Sequence, residues 1–105
     1  MILTHIIAKN KKHALKIVDI LMQKRLLLHA AISKKIIYHR HSETGQLIRK
    51  KQTLIIGKTK ALLFNEIYKE LKNQFTENMP LLYAVPIVYM DEELATILRS
   101  NTAKI

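Results

Sequence analysis

Strand-like and helix-like segments in the order β-α-β-β-α-β, followed by a short helix, predict an α+β fold. Three observations carry that expectation. Thr53-Leu54-Ile55-Ile56-Gly57 is a short apolar run with the length and β-branched content of a buried strand. After it, Leu63, Ile67, Leu71 and Phe75 recur every four residues, which places them on one face of an amphipathic helix. Pro80 to Tyr89 then reads as another strand, and the first half of the chain repeats this grammar.

The first strand is Met1 to Ala8. Asn10 is a good N-cap, because its side-chain oxygen can accept from the free amides of a first helical turn. The helix that follows runs from Lys11 to about Lys24, with Ala14, Ile17, Val18, Leu21 and Met22 on one stripe. Leu26 to Ile32 reads as a second strand. Between Lys34 and Lys51 the only strong turn signal is Ser42-Glu43-Thr44-Gly45, flanked by Ile36-Ile37-Tyr38 and Leu47-Ile48. This predicts a long β-hairpin whose arms extend strands two and three past the core. Thr59 is the expected N-cap of the second helix, which ends near Phe75. Asp91 caps a last helix in which Glu92 and Glu93 suit the positive end of the dipole, and Leu94, Ile97 and Leu98 are expected to dock on the core. The order is the ferredoxin-like split βαβ, with an extended hairpin between strands two and three and a short C-terminal helix. With 105 residues the chain is expected to form one domain, residues 1–105.

Charge is distributed unevenly. Residues 1–60 hold 14 Lys/Arg against two acids, Asp19 and Glu43, whereas residues 61–105 hold four against six. Such asymmetry points to an anionic partner, or simply to lysines that solvate the outer face of the first helix. No apolar run reaches the roughly 18 residues of a membrane span. The chain has no cysteine, which excludes a disulfide framework and thiol chemistry, and it has only two glycines, too few for a P-loop or a dinucleotide fingerprint. No Ser/His/Asp spacing is present either, so the expected class is a non-enzymatic, cytoplasmic protein. Sheet-mediated RNA binding needs aromatics on the two central strands, and Met1 to Ala8 and Thr53 to Gly57 carry none.

The strands do not alternate apolar with polar. In strand one Ile2, Ile6 and Ala8 face one way and Leu3 and Ile7 the other; in strand four Leu81, Tyr83 and Val85 oppose Leu82 and Ala84. Two main helices cover one face of a four-stranded sheet. A second apolar face, including Leu3, Ile7 and Leu82 in this reading, calls for another copy of the chain.

Several segments resemble the CutA family, the divalent-cation tolerance proteins. Ala8-Lys9-Asn10 stands where that family has Ala-Pro-Asn, and Ala14 falls at its early helix alanine. Leu26-Leu27-Leu28-His29-Ala30-Ala31 stands at its Leu-Ala-Ala-Cys-Val-Asn. Thr53 to Thr59 resembles its apolar strand ending in Lys-Thr, and Met79-Pro80 followed by Leu81 to Ile87 resembles its last strand, with Pro86 on the second proline. The family's cysteine is replaced by His29, its His-Pro-Tyr-Glu by Phe75-Thr76-Glu77-Asn78, and its acidic hairpin arm by Arg49-Lys50-Lys51. The resemblance implies a homotrimer of ferredoxin-like subunits with hairpins wrapping neighbours, and a role in divalent-cation tolerance.

Candidate metal ligands are histidines. His29 stands at the family's cysteine position, and imidazole can hold copper or zinc; a core histidine satisfied by a backbone carbonyl is the plainer reading. His39 and His41, two apart, would point to the same side of a strand and could share an ion, or simply belong to a solvated hairpin arm. The second functional reading resembles the trimeric nitrogen-signalling (PII) proteins. In it Arg40, Arg49, Lys50 and Lys51 of the hairpin meet an anionic ligand, either a nucleotide phosphate or an acidic protein surface. Intersubunit salt bridges from these cations to Glu66, Glu70 or the Asp91-Glu92-Glu93 cap are the competing use.

Overall fold

The computed structural model describes residues 1–104. Four strands, β1 (Ile2–Ala8), β2 (Ala30–Arg40), β3 (Leu47–Thr59) and β4 (Leu81–Pro86), form one antiparallel sheet in the order β2-β3-β1-β4. Helices α1 (Lys11–Gln23) and α2 (Phe64–Gln74), the latter preceded by a 3-10 turn at Ala61–Leu63, fill the connections, and α3 (Glu92–Asn101) closes the sequence. This is the expected α+β, ferredoxin-like arrangement.

The register sorts the side chains. Ile2, Thr4, Ile6 and Ala8 of β1 are buried, as are Thr53, Ile55, Gly57 and Thr59 of β3. Against this face pack Ala14, Ile17 and Leu21 of α1 and Ile67 and Leu71 of α2, with Leu63 from the turn before α2. Val18 and Phe75 join from the edge of the cluster, whereas Met22 lies at the surface. One buried hydroxyl, Thr4 Oγ1, has no hydrogen-bond partner among the described residues.

The second strand starts at Ala30 and not at Leu26. Helix α1 ends in a Schellman motif: Arg25 takes φ 57°, Arg25 N–H donates to Met22 O at 3.0 Å, and Leu26 N–H donates to Leu21 O at 2.8 Å. Leu26 and Leu27 are thereby turned into the core instead of entering the sheet. Thr59 does not cap α2. It is the last residue of β3, and its buried hydroxyl donates to Leu26 O at 2.6 Å, which ties the strand to the α1–β2 connection. Strand β4 stops at Pro86, where the ring removes a ladder donor; Ile87 N–H then bonds Met1 O at 3.0 Å and Tyr89 is left 92% exposed. Asn10 and Asp91 do cap their helices, accepting from His13 N–H at 2.8 Å and Leu94 N–H at 3.1 Å. In α3 the docking residues are Ala95 and Leu98; Ile97 is 40% exposed.

The β2–β3 hairpin is the most extended feature. Its pairing runs from Ala30↔Gly57 to Arg40↔Leu47, well beyond the stretch covered by helices. The Cα radius of gyration is 15.2 Å, against about 13 Å for a compact chain of this length. Beyond Lys35 the arms are exposed on both sides, yet carry Ile36, Ile37, Tyr38 and Leu47.

Gly57 lies in close contact with the core. A Cβ there would sit 2.8 Å from both Leu27 methyl carbons and 3.1 Å from His29 O. Gly57→Ala must therefore displace Leu27 from its buried place and should lower stability by about 1–3 kcal/mol. A denaturant midpoint equal to that of the unmodified protein would show that this contact does not constrain the core.

Candidate functional site

The sheet face away from the helices is the first surface of interest. It carries Leu3, His5 and Ile7 of β1, Leu54 and Ile56 of β3, Ala31 of β2, and Leu81, Tyr83 and Val85 of β4. Leu81 is 68% exposed and Tyr83 50%. Leu82 does not belong to this face: it pairs with Ile6 and packs on the core cluster, while Leu81 stands beside Ile7. His5 Nδ1 lies 3.1 Å from the Tyr83 hydroxyl, with ring centroids 4.9 Å apart, so these two polar groups are matched within the chain.

The histidines do not converge. His29 is exposed in the connection before β2, not in the core. His39 lies on β2 opposite Ile48, but His41 is past the end of the strand, where its Nδ1 accepts from Glu43 N–H at 3.2 Å and Thr44 N–H at 3.4 Å and so holds the hairpin turn. Ten extended residues span about 33 Å, which keeps His29 and His39 from sharing an ion. No group of three or more His, Asp or Glu side chains placed to hold a metal occurs among the described residues. A resident copper or zinc ion is therefore not matched by a donor set among them.

The hairpin cations also separate. Register places Arg49 opposite Tyr38 and Lys51 opposite Ile36 on the helix side, together with Arg40, whereas Lys50, opposite Ile37, points to the other side. Arg40 is already engaged, since its Nη1 donates to Gly45 O at 2.7 Å. The acids that could meet these cations are partly taken as well. Glu70 pairs with Lys24 at 2.9 Å, Glu66 lies 3.9 Å from Lys69, and Asp91 caps α3.

What the fold does bring together is a groove of about 470 Å³ at the root of the hairpin. It is lined by Lys9 and Lys11 of the β1–α1 junction and by Lys34 and Lys51, which lie on the helix side of β2 and β3, together with Ile36 and Thr53. These residues are far apart in sequence, and charge counting treats them as separate clusters. The pairing Ala8↔Thr53 joins them, and only the alignment of β1 with the middle of β3 could have revealed it.

Next to the groove, His13 packs edge-on against Phe75 with centroids 4.9 Å apart, and its Nδ1 accepts from Lys9 N–H at 3.2 Å. Its Nε2 is shielded from water without a partner. Burial, then the positive charges of Lys9 and Lys16, hold this imidazole below the ordinary histidine value of 6.5. Glu70 is held below the ordinary carboxylate range, chiefly by its hydrogen bond from Lys24.

No protein-family model matches the chain, and no curated protein matches it. Solved structures do. CutA1 from Pyrococcus horikoshii superposes with a TM-score of 0.86 at 20% identity, over 99% of this chain and 100% of that one. The chain has the CutA1 fold. The periplasmic divalent cation tolerance protein CutA from Archaeoglobus fulgidus matches at 0.83 and 22% identity, covering 96% of this chain and 98% of its own. The divalent cation tolerance protein from Thermus thermophilus matches at 0.83 and 23%, covering 98% and 100%. The resemblance read from short apolar motifs thus extends, as a CutA1 fold, over essentially the whole chain. No described helix is long and apolar enough to cross a membrane.

The His13 environment has a consequence for stability. With its folded pKa below 6.5, the unfolded chain binds the proton first as pH falls, so stability is full above that value and declines below it. The denaturant midpoint should fall between pH 7.5 and pH 5, and His13→Gln should remove that component of the decline. An unaltered decline in the variant would assign it to other groups. The Glu70 contribution lies in a separate, more acidic window, present above 4.5 and lost as pH falls through the lowered folded value.

Proposed function

We propose that this chain is a divergent member of the CutA family that works as a non-enzymatic, homotrimeric binding or scaffold protein linked to divalent-cation tolerance. The observation that carries the reading is a full-length match to CutA1 structures combined with an open, apolar sheet face. A monomer would leave Leu3, Ile7, Leu54, Ile56, Leu81 and Val85 in contact with water, and association of identical chains is the simplest way to bury them. The hairpin supports the same reading, since its apolar residues beyond the core, Ile36, Ile37, Tyr38 and Leu47, are exposed and suit wrapping around a neighbour. Metal contact in this proposal is weak and made by single histidines such as His29, because no donor cluster among the described residues supports a tighter site.

A second reading, a PII-like trimeric sensor of an anionic ligand, is favoured by the lysine-lined groove at the hairpin root rather than by Arg40, Arg49, Lys50 and Lys51 as a set.

Light scattering on chromatographed protein tests the assembly directly. Three times the 12.2 kDa chain mass is expected, and Ile7→Glu, which places a charge in the middle of the open face, should abolish that species and leave aggregated or unfolded chain. A stable, folded monomer of the unmodified protein would defeat the trimer.

Calorimetric titration with copper and with zinc should show weak heats without a saturating stoichiometric step, reduced in His29→Ala. A saturating step lost in that variant would instead promote His29 to a true ligand.

A further inference from the structure

We infer that the groove between the β1–α1 junction and the root of the hairpin is a binding site for a polyphosphate group, carried by a nucleotide or by an inorganic phosphate chain. Four lysines line it: Lys9 and Lys11 on one wall, Lys34 and Lys51 on the other. Lys34 and Lys51 are not scattered. Lys34 is paired with Thr53 and Lys51 with Ile36, so the two occupy the same side of the hairpin at neighbouring positions of adjacent strands. Lys35 also lines the groove, but strand alternation turns its side chain to the opposite side. Thr53 is in turn paired with Ala8, which brings the start of α1 alongside.

Among the described residues the groove meets no countercharge. None of the chain's eight Asp and Glu residues lines it, and among the described residues the only ion pairs are Lys24 with Glu70 and Lys69 with Glu66. Among the described residues only Lys9 of the four has a side-chain partner, the neutral amide oxygen of Asn78, which does not itself line the groove. Four like charges held around one concavity repel each other, and a multivalent anion removes that repulsion while gaining charge-assisted hydrogen bonds. A single carboxylate could reach one or two of these groups. A chain of two or three phosphates, with its oxygens spread over several ångströms, can meet more of them at once. The volume, about 470 Å³, accommodates a group of that size, and Ile36 supplies an apolar patch beside it. The positive end of the α1 dipole adds to a potential that the lysines already create.

All of these residues come from one chain, so the site rests on neither the trimer nor the cation role. It gives the anion-binding reading a specific site and ligand class. The test uses calorimetry at low ionic strength with two probes, pyrophosphate and ADP, on the full chain. Both should bind, and Lys34→Gln with Lys51→Gln should weaken binding by about tenfold or more, because two charge-assisted contacts are lost. The control is Lys50→Gln with Lys72→Gln, which removes the same charge from positions that do not line the groove and should leave binding nearly unchanged. ADP binding more tightly than pyrophosphate would identify a nucleotide as the source of the phosphates; an equal or lower ADP affinity would identify an inorganic chain. Absence of binding by either probe, or equal weakening by the two variant pairs, would overturn the proposal and reduce the groove to a part of general positive charge. Light scattering on the same samples reports assembly separately, so a failed trimer and a failed phosphate site give different results.

Discussion

Strand β1 is bonded along both edges, to β3 on one side and β4 on the other, and it is apolar on both faces. Those two conditions organise the domain. The face with Ile2, Ile6 and Ala8 can be dried only by α1 and α2, which is why both helices lie on that side and direct Ile17, Leu21, Ile67 and Leu71 toward it. The face with Leu3 and Ile7 has no such cover among the described residues. A sheet built around a strand of this kind has one finished surface and one unfinished surface, and the hydrophobic effect acts on both.

Within the finished layer the stabilising contacts are specific. Gly57 leaves room for Leu27, and the Thr59 hydroxyl satisfies the carbonyl of Leu26, so the end of α1 and the end of β3 are fastened at adjacent points. At the other end of β3 the chain leaves the core and continues as a hairpin, and the groove of lysines forms at that boundary. Basic residues can gather there because the sheet is no longer covered, so their ammonium groups keep their water. The same location explains why the groove is positive throughout: the acids of the chain are concentrated in α2, in the segment between α2 and β4, and around the start of α3, none of which lines the hairpin root.

Much of this was legible in the residues. The helical stripes ending in Leu71 and Phe75, the caps at Asn10 and Asp91, the hairpin turn near Gly45 and the two-sided strands follow from local pattern, and the element order follows from them. The misread positions share a cause. Leu26 and Leu27 look like the start of a strand because they are apolar, but Arg25 in a left-handed conformation turns them inward as a helix cap, and nothing in composition marks an arginine for that role. Thr59 looks like a cap because threonine is a common one, but a distant carbonyl claims its hydroxyl. The candidate site was harder to read. Alternation around Lys50 and the end of β2 before His41 separate residues that are adjacent in sequence, whereas the register of β1 on β3 unites lysines that are not.

The position of β1 also bears on how the chain is made. It is the first strand in sequence, and one of its partners, β4, is separated from it by more than 70 residues and comes after both long helices. During synthesis the Ile2–Ile7 stretch therefore waits with one edge unpaired until β4 is available, and the entropy of closing so long a loop is met only at that stage. An apolar strand with open edges is the kind of segment that pairs wrongly with a neighbour on a crowded polysome. The cluster of positive charge just beyond it, at Lys9, Lys11 and Lys12, gives nascent chains a mutual repulsion during that interval.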